Sequence, residues 1–283
     1  VFVGTVVMQL VQEGTLSLEG TVNTYLPGSA LINADSMTVR QLLDHTAGTY
    51  DFEYDPDYLG TQAKNPRTPW TPQQLLDLVL RHEPKFSPGA RWGYSNSNYL
   101  LLGMIVEKVT GDTLGNQIRK RIVDRMGLKS TYFAEGLEWN GEHMSGYMRE
   151  NMVGPLIDVT IRSASSSWAA GAMVSTVGDL RKFIIATAAG ETLDAATQKA
   201  RMTCVDTGAV YGNLKNMYCL GIEMLGEIVG HSGDTIGFQS SAWTWPSKGI
   251  TITIGQNKNL ILEGTATQMS RELFNVLVPG YAE

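Results

Sequence analysis

The period of the hydrophobic pattern changes close to residue 208 of this chain. Before that point, apolar residues recur every three or four positions, the spacing of helices that bury one face. After it come short apolar runs bounded by turn residues, as expected for strands, at residues 218–224, 227–231, 238–245 and 250–256. A last helical pattern covers residues 261–277. The chain is therefore predicted to be an α/β protein of the α+β kind, with a helical lobe and an antiparallel sheet flanked by helices.

The first helical pattern starts at the first residue. Apolar side chains recur at helical spacing and Gly14 follows as a stop, but no capping residue precedes Val1. We expect this helix to begin earlier in a longer chain, and we expect any strands that precede it to lie outside these 283 residues. Residues 1–283 are predicted to form a single domain, in which residues 15–205 are mainly a helical lobe. Residues 1–14 and 206–283 would form the sheet lobe with its flanking helices.

Threonines mark the starts of further helices. Thr38, Thr71 and Thr176 each precede an apolar helical pattern, and proline follows Thr71 at the position where a helix tolerates it best. Residues 49–70 contain several tyrosines, aspartates, prolines and glycines, which predicts a long surface loop. Loops of this length are often functional, so residues 50–58, called the lip segment below, are either the lip of a substrate cleft or a solvated loop.

Composition and spacing exclude several partners. The 22 Lys and Arg residues against 28 Asp and Glu residues give a formal charge of -6, and no basic cluster indicates a nucleic-acid partner. No apolar run approaches the about 20 residues that cross a bilayer. The four histidines are far apart, so we expect no metal site. Cys204 and Cys219 fit a disulfide of an oxidising compartment or two buried thiols.

Tyr94-Ser95-Asn96 stands where a predicted turn meets a helix. A phenol at Tyr94 could accept and pass on a proton, and the Asn96 amide could hold a carbonyl group. The alternative is structural, because Ser95 or Asn96 can also cap the helix while Tyr94 packs against it.

Gly230-His231-Ser232-Gly233-Asp234 ends a predicted strand. Glycine lets a ligand approach the backbone closely, and exposed N–H groups of such a strand can stabilise an oxyanion. The alternative is an ordinary turn with a solvated histidine. We do not expect Ser232 to be the nucleophile of an α/β-hydrolase, because that motif requires glycine in the place of Asp234 and a helix after it.

The order of these segments is informative. The relevant segments are residues 11–18, Tyr25-Leu26-Pro27, residues 38–48, Tyr94-Ser95-Asn96, Gly171 with Ser175-Thr176 and Asp179-Leu180, and His231-Ser232-Gly233. Over nearly its whole length the chain resembles the serine β-lactamase-like family, which includes penicillin-binding D-alanyl-D-alanine carboxypeptidases, class C β-lactamases and related esterases. The resemblance implies a β-lactamase/transpeptidase-like fold.

The same resemblance implies a cofactor-independent serine hydrolase that forms an acyl-enzyme with a small molecule or peptide, β-lactams included. The family's nucleophile lies in a Ser-x-x-Lys motif, and both residues would precede Val1, so these 283 residues alone would be inactive. Tyr94 would relay protons and Asn96 would hold the substrate amide. His231 would line the opposite wall, where the backbone N–H of Asp234 would donate to the oxyanion. The remaining predicted substrate contacts are Ser95, Ser232, Gly233 and Glu223.

Glu223 bears on the choice of substrate. The carboxypeptidases present an arginine on this strand for a free substrate carboxylate, whereas a glutamate repels a carboxylate and attracts an amine. We therefore expect neutral or amine-bearing D-amino-acid amides, peptides or esters, unless Glu223 points to solvent. The family's third motif often has threonine where Ser232 and Asp234 stand here, and His231 in place of lysine argues against an efficient class C β-lactamase.

The alternative to an enzyme is a binding module that keeps the substrate cleft but lacks the nucleophile. The resemblance also implies a location outside the cytoplasm. The oligomeric state is not predicted.

Overall fold

The computed structural model of the chain describes residues 1–137, 139–149, 154–259 and 265–281. Its helices are α1 (Phe2–Gln12), α2 (Val22–Tyr25), α3 (Val39–Leu43), α4 (Pro56–Lys64), α5 (Pro72–Val79), α6 (Asn96–Thr110), α7 (Leu114–Ile118), α8 (Asp124–Met126), α9 (Val177–Ala189), α10 (Ala195–Arg201) and α11 (Ala266–Leu277). A π-helical segment, Arg119–Val123, joins α7 to α8. Short 3-10 turns cover Phe52–Tyr54, Ala164–Ser166, Trp168–Ala170 and Pro246–Lys248. Within these ranges, every helix is too short or too polar to cross a lipid bilayer.

The strands form one large sheet and two small ones. They are β1 (Tyr132–Phe133), β2 (Tyr147–Arg149), β3 (Leu156–Asp158), β4 (Met173–Val174), β5 (Val205–Tyr211), β6 (Leu214–Tyr218), β7 (Glu223–Leu225), β8 (Ile228–Thr235), β9 (Phe238–Trp245), β10 (Ile250–Gln256) and β11 (Lys258–Asn259). The large sheet has the order β10-β9-β8-β7-β6-β5 and is antiparallel throughout. β1 pairs with β4, and β2 lies between β11 and β3.

Two helices cover opposite faces of the large sheet. Ile228 and Trp243 pack with Phe274 of α11, whereas the next residue of β8, Val229, packs with Ile184 of α9. Adjacent residues of a strand face opposite sides, so α9 and α11 lie on different faces. The predicted antiparallel sheet flanked by helices is confirmed.

The main apolar core lies among the helices, with α6 at its centre. α1 packs against α6, α7 and α10, while α9 packs on the sheet. The predicted boundaries of the two lobes, at residues 15 and 205, stay predictions.

Local capping explains where the helices begin. Thr38 and Thr71 each form a capping box with the glutamine three residues later, and Thr176 accepts from the backbone N–H of Asp179, which confirms these predicted starts. The helix predicted for residues 261–277 begins at Ala266, and residues 261–264 lie outside the described ranges.

Two predicted elements are wrong. The loop predicted for residues 49–70 contains α4, because Asp55 accepts from the N–H groups of Asp57 and Tyr58 and Pro56 occupies the first turn. The strand predicted for residues 218–224 is interrupted, since β6 ends at Tyr218 and the chain turns at Gly221, whose φ is 82°.

Gly230 lies on β8 where the sheet leaves no room for a side chain. A Cβ atom there would stand 2.4 Å from the carbonyl oxygen of Ala242 and 2.5 Å from the ring of Trp243. We expect Gly230→Ala to lower the free energy of unfolding, measured in urea, by about 1–3 kcal/mol. Gly60→Ala on α4 is the control, since nothing lies within 4 Å of its Cβ position, and it should be neutral or stabilising. Equal stability of the two variants would contradict this prediction.

Candidate active site

Tyr94, Ser95 and Asn96 lie where the chain enters α6. Ser95 occupies the N-cap position with extended backbone angles, but its side chain makes no capping hydrogen bond. It is fully buried, and its hydroxyl accepts from the hydroxyl of Thr49 at 2.9 Å and donates to the carbonyl oxygen of Tyr50 at 3.4 Å. Ser95 therefore holds this turn from beneath, and the substrate contact predicted for it stays a prediction.

Asp51, from the lip segment, orients Asn96. One oxygen of the Asp51 carboxylate accepts from the backbone N–H of Asn96 at 3.0 Å and from its side-chain amide nitrogen at 3.2 Å. Burial raises the pKa of Asp51, and the hydrogen bonds from Asn96 oppose that shift. Because the Asn96 amide nitrogen is turned inward, its side-chain oxygen is the atom left to accept from a ligand N–H.

The side chain of Tyr94 is 40% exposed. Its ring stacks on His45, with centroids 4.1 Å apart, and lies 6.2 Å from the ring of Tyr218. Desolvation of the hydroxyl raises the pKa of Tyr94 far above its usual value, and negative charge on Glu223 and Glu53 adds to the shift. The phenol is therefore protonated at neutral pH and can donate a proton.

His231 stands opposite, on the part of β8 that extends past the end of β7. Its Nδ1 donates to the carbonyl oxygen of Ser232 at 2.5 Å, which leaves Nε2 to accept from the hydroxyl of Tyr218 at 2.9 Å. Burial lowers the pKa of His231, and the carboxylate of Glu223 offsets part of that shift. A neutral His231 matches this pair of contacts.

Glu223 points into the same region. Its Oε1 lies 3.6 Å from Nε2 of His231, its Oε2 accepts from the side-chain amide of Asn216 at 3.2 Å, and its side chain is 16% exposed. The carboxylate is therefore held at the wall of the cleft rather than extended into solvent.

The rest of the predicted wall follows on β8. Ser232, Gly233 and Asp234 pair with Ser241, Ser240 and Gln239 of β9, respectively. The Asp234 carboxylate accepts from the side-chain amide of Gln239 at 3.0 Å. The oxyanion role predicted for Asp234 and the substrate contacts predicted for Ser232 and Gly233 stay predictions.

Three further residues of the site had not been predicted from the sequence. Tyr218 ends β6 and binds His231, and Arg162 donates to the hydroxyl of Thr235 and, at 3.0 Å, to the hydroxyl of Ser166. Glu53, in the lip segment, has its pKa raised to about 7, first by burial and then by Asp51. Tyr218 and Arg162 carry no local motif, whereas Glu53 belongs to the acidic segment that the sequence marked as a lip.

The start of α1 borders this cleft. Gly4 lies so close to Gly221, in the turn before β7, that a Cβ atom on Gly4 would be 3.1 Å from the Gly221 Cα. Val1 packs against the apolar cluster that contains Cys219 and Ile222, which stand on either side of this turn. In the described part of the chain, no three His, Cys, Asp or Glu residues gather as a metal site.

Known proteins share the sequence profile and the fold of this chain. A sequence profile of the family described as Beta-lactamase matches residues 1–266. A D-stereospecific amidohydrolase from Streptomyces sp. has 31% sequence identity and a TM-score of 0.86, with 99% of this chain and 84% of that chain covered. D-amino acid amidase from Ochrobactrum anthropi SV3, solved with D-phenylalanine, has 27% identity and a TM-score of 0.81, with 98% and 81% covered.

A curated relative matches over a shorter stretch. A protein of Escherichia coli (strain K12) that carries the name D-alanyl-D-alanine carboxypeptidase is 30% identical over 131 residues, which are 44% of this chain and 30% of that protein. The match thus spans less than a third of the carboxypeptidase. The profile match covers most of the chain, and the solved structures confirm the β-lactamase/transpeptidase-like fold. The chain belongs to the beta-lactamase family of serine hydrolases, and its relatives include D-alanyl-D-alanine carboxypeptidases and D-amino acid amidases.

Proposed function

We propose that this protein is an acyl-serine hydrolase that acts on amine-bearing or neutral D-amino-acid amides, peptides or esters. The observation that carries the proposal is the meeting of Tyr94, Asn96 and His231 in one cleft beside Glu223 and the start of α1. The serine nucleophile and its lysine partner are proposed to lie on the chain N-terminal to Val1, on the continuation of α1. The 283 residues by themselves are then expected not to be acylated.

The reaction proceeds in two steps. The serine oxygen attacks the carbonyl carbon of the substrate and forms an ester bond, the amide C–N bond breaks, and the serine proton passes through lysine and Tyr94 to the leaving nitrogen. Water then attacks the ester, which releases the acid and restores the serine hydroxyl. Asn96 accepts from a substrate N–H during both steps, and the backbone N–H of Asp234 is the proposed second donor to the oxyanion.

The charge of the cleft supports an amine-bearing substrate. Glu223 and Asp51 act on the hydroxyl of Tyr94 as negative charges, and Glu53, whose pKa is raised to about 7, adds a further negative charge when it is ionised. Such a cleft favours an ammonium group over a free carboxylate. The relatives named for D-stereospecific amide hydrolysis fit the same chemistry, since a D-amino-acid amide carries an amine and no carboxylate.

Glu223→Gln tests the choice of substrate. In the full-length enzyme we expect kcat/KM for a D-aminoacyl amide to fall roughly tenfold, a loss of about 1.4 kcal/mol, because the charge that holds the amine is gone. The N-acetylated amide is the matched control and should be hydrolysed equally by both enzymes. An equal loss for both substrates would contradict the role of Glu223. Preference of the wild-type enzyme for a peptide ending in a free D-Ala-D-Ala would contradict the substrate class itself.

The enzyme assignment is tested on the native protein. Mass measurement and sequencing are expected to place Ser-x-x-Lys directly before Val1. A fluorescent penicillin should acylate that serine, and a phosphonate probe should phosphonylate it. A native chain without a serine at that place would instead be an inactive binding module. Rapid hydrolysis of a cephalosporin would indicate a class C-type β-lactamase.

We also propose that the protein works outside the cytoplasm. The sequence left open whether Cys204 and Cys219 are joined, and the structure joins them in a disulfide. Disulfides persist in oxidising compartments, which supports a secreted or periplasmic location.

A further inference from the structure

His45 lies directly beneath Tyr94 and has no role in the reaction described above. It follows α3 and adopts a left-handed backbone conformation with a φ of 61°, which is uncommon for residues other than glycine. Its side chain is completely buried. A buried polar ring on a strained backbone has a cost to stability, so its contacts need an explanation.

The contacts of His45 run along the whole turn that presents Tyr94. The His45 carbonyl oxygen accepts from the N–H of Gly93 at 2.9 Å. Its Nδ1 accepts from the backbone N–H of Ser95 at 3.3 Å and from the side-chain amide of Asn98 at 3.0 Å. Its ring stacks on that of Tyr94 with an interplanar angle of 28°. One residue thus fixes the backbone before and after Tyr94 and also the plane of its ring.

The protonation state of His45 follows from these partners. Both groups that meet Nδ1 are donors, so Nδ1 is unprotonated and the ring proton is on Nε2. Burial lowers the pKa of His45 well below its usual value, so the ring stays neutral. Among the described residues, Nε2 has no hydrogen-bond partner. The ring centroids of Tyr99 and Tyr218 lie 5.4 Å and 4.7 Å from the centroid of the His45 ring.

We infer that His45 is a positioning residue for the acyl-transfer reaction, holding the Tyr94 hydroxyl in place through its ring stack and its two hydrogen bonds at Nδ1. The inference rests on the proposed function. An apolar ring at this position would fill the same space without leaving a buried N–H unpaired, but it could not accept from Ser95 and Asn98. The orphaned Nε2–H is thus the consequence of using Nδ1 as an acceptor.

Two variants of the full-length protein separate the two parts of this role. His45→Asn keeps a residue that tolerates the left-handed backbone and places an acceptor oxygen near the position of Nδ1, but it removes the stacked ring. His45→Phe keeps a ring and removes the acceptor. For each folded variant we expect the acylation rate constant with an ester probe to fall about 10- to 100-fold, because a misplaced proton relay acts on the chemical step. The dissociation constant of the probe before acylation should be unchanged.

A double-mutant cycle distinguishes positioning from a general structural defect. In a Tyr94→Phe background, the His45 substitutions should lower the acylation rate no further, because His45 acts through the Tyr94 hydroxyl. Additive losses would overturn the inference, as would a wild-type rate in both single variants. If His45→Phe does not fold, His45→Asn alone completes the cycle. A wild-type protein that the probe does not label would overturn the proposed function, and this inference with it.

Discussion

Tyr94→Phe in the full-length protein is expected to lower the rate of acyl-enzyme formation by about 10²- to 10⁴-fold, the usual contribution of a positioned general acid or base. The substitution removes one oxygen atom and keeps the ring that stacks on His45. Since burial raises the pKa of Tyr94, its proton is present throughout the neutral range and is available to the leaving group. Stopped-flow measurement with an ester probe gives the rate of acyl-enzyme formation.

The control for this experiment is another tyrosine. Tyr25→Phe removes a hydroxyl that accepts from the backbone N–H of Ser17 at 2.8 Å, on α2 and outside the cleft. It should leave the acylation rate unchanged. Both variants should unfold at nearly the wild-type urea concentration, because the Tyr94 side chain is 40% exposed. Acylation of the Tyr94→Phe protein within twofold of the wild-type rate would show that the Tyr94 hydroxyl has no role in proton transfer.

Replacing Cys204 and Cys219 together by alanine is expected to lower the free energy of unfolding by about 3 kcal/mol, the typical effect of opening a loop of this length. The disulfide closes the hairpin of β5 and β6, because Val205 and Tyr218, the residues just inside it, are directly paired. In the chain-entropy description, the cross-link restricts the unfolded chain, so its loss stabilises the unfolded state. Urea unfolding measures the difference.

Chemical reduction of the wild-type protein is a second way to open the disulfide between Cys204 and Cys219. Wild-type protein in a phosphine reductant should unfold at the urea concentration of the double variant, and the reductant should not affect the double variant. Because Cys219 follows Tyr218, the orientation of Tyr218 toward His231 should also loosen. If the double variant is as stable as the wild type, the hairpin does not depend on the cross-link.

Features encoded by neighbouring residues were predictable. A threonine before an apolar repeat, as at Thr38 and Thr71, accepts from a backbone N–H only three residues later. The start of such a helix is therefore determined by neighbouring residues. The turn at Tyr94 was also predictable from neighbouring residues. So were β9 and β10, in which the alternation of side chains typical of strands continues without a break. Asp55-Pro56 carried an equally local signal for α4, but the prolines and glycines around it favoured a loop.

Features that depend on long-range contacts were not predictable. Nothing near Tyr218 indicates that its hydroxyl meets His231, because that contact arises only when β6, β7 and β8 assemble. The place of His45 next to the Tyr94 ring depends on the packing of α3 against α6. Arg162 has no local motif, since its partner Thr235 lies in a distant part of the chain.

The positions of the two cleft walls in the sequence also set the order in which the binding site can form. Tyr94 enters with the helical part of the chain, which is synthesised first, whereas His231 arrives with the sheet near the other end. Contacts between such distant segments form late, because closing the long intervening loop has an entropic cost. A partly folded or unfinished chain therefore has only half of its binding surface, because the wall that contains His231 is not yet in place. Ligand binding at this cleft should report the final step of folding.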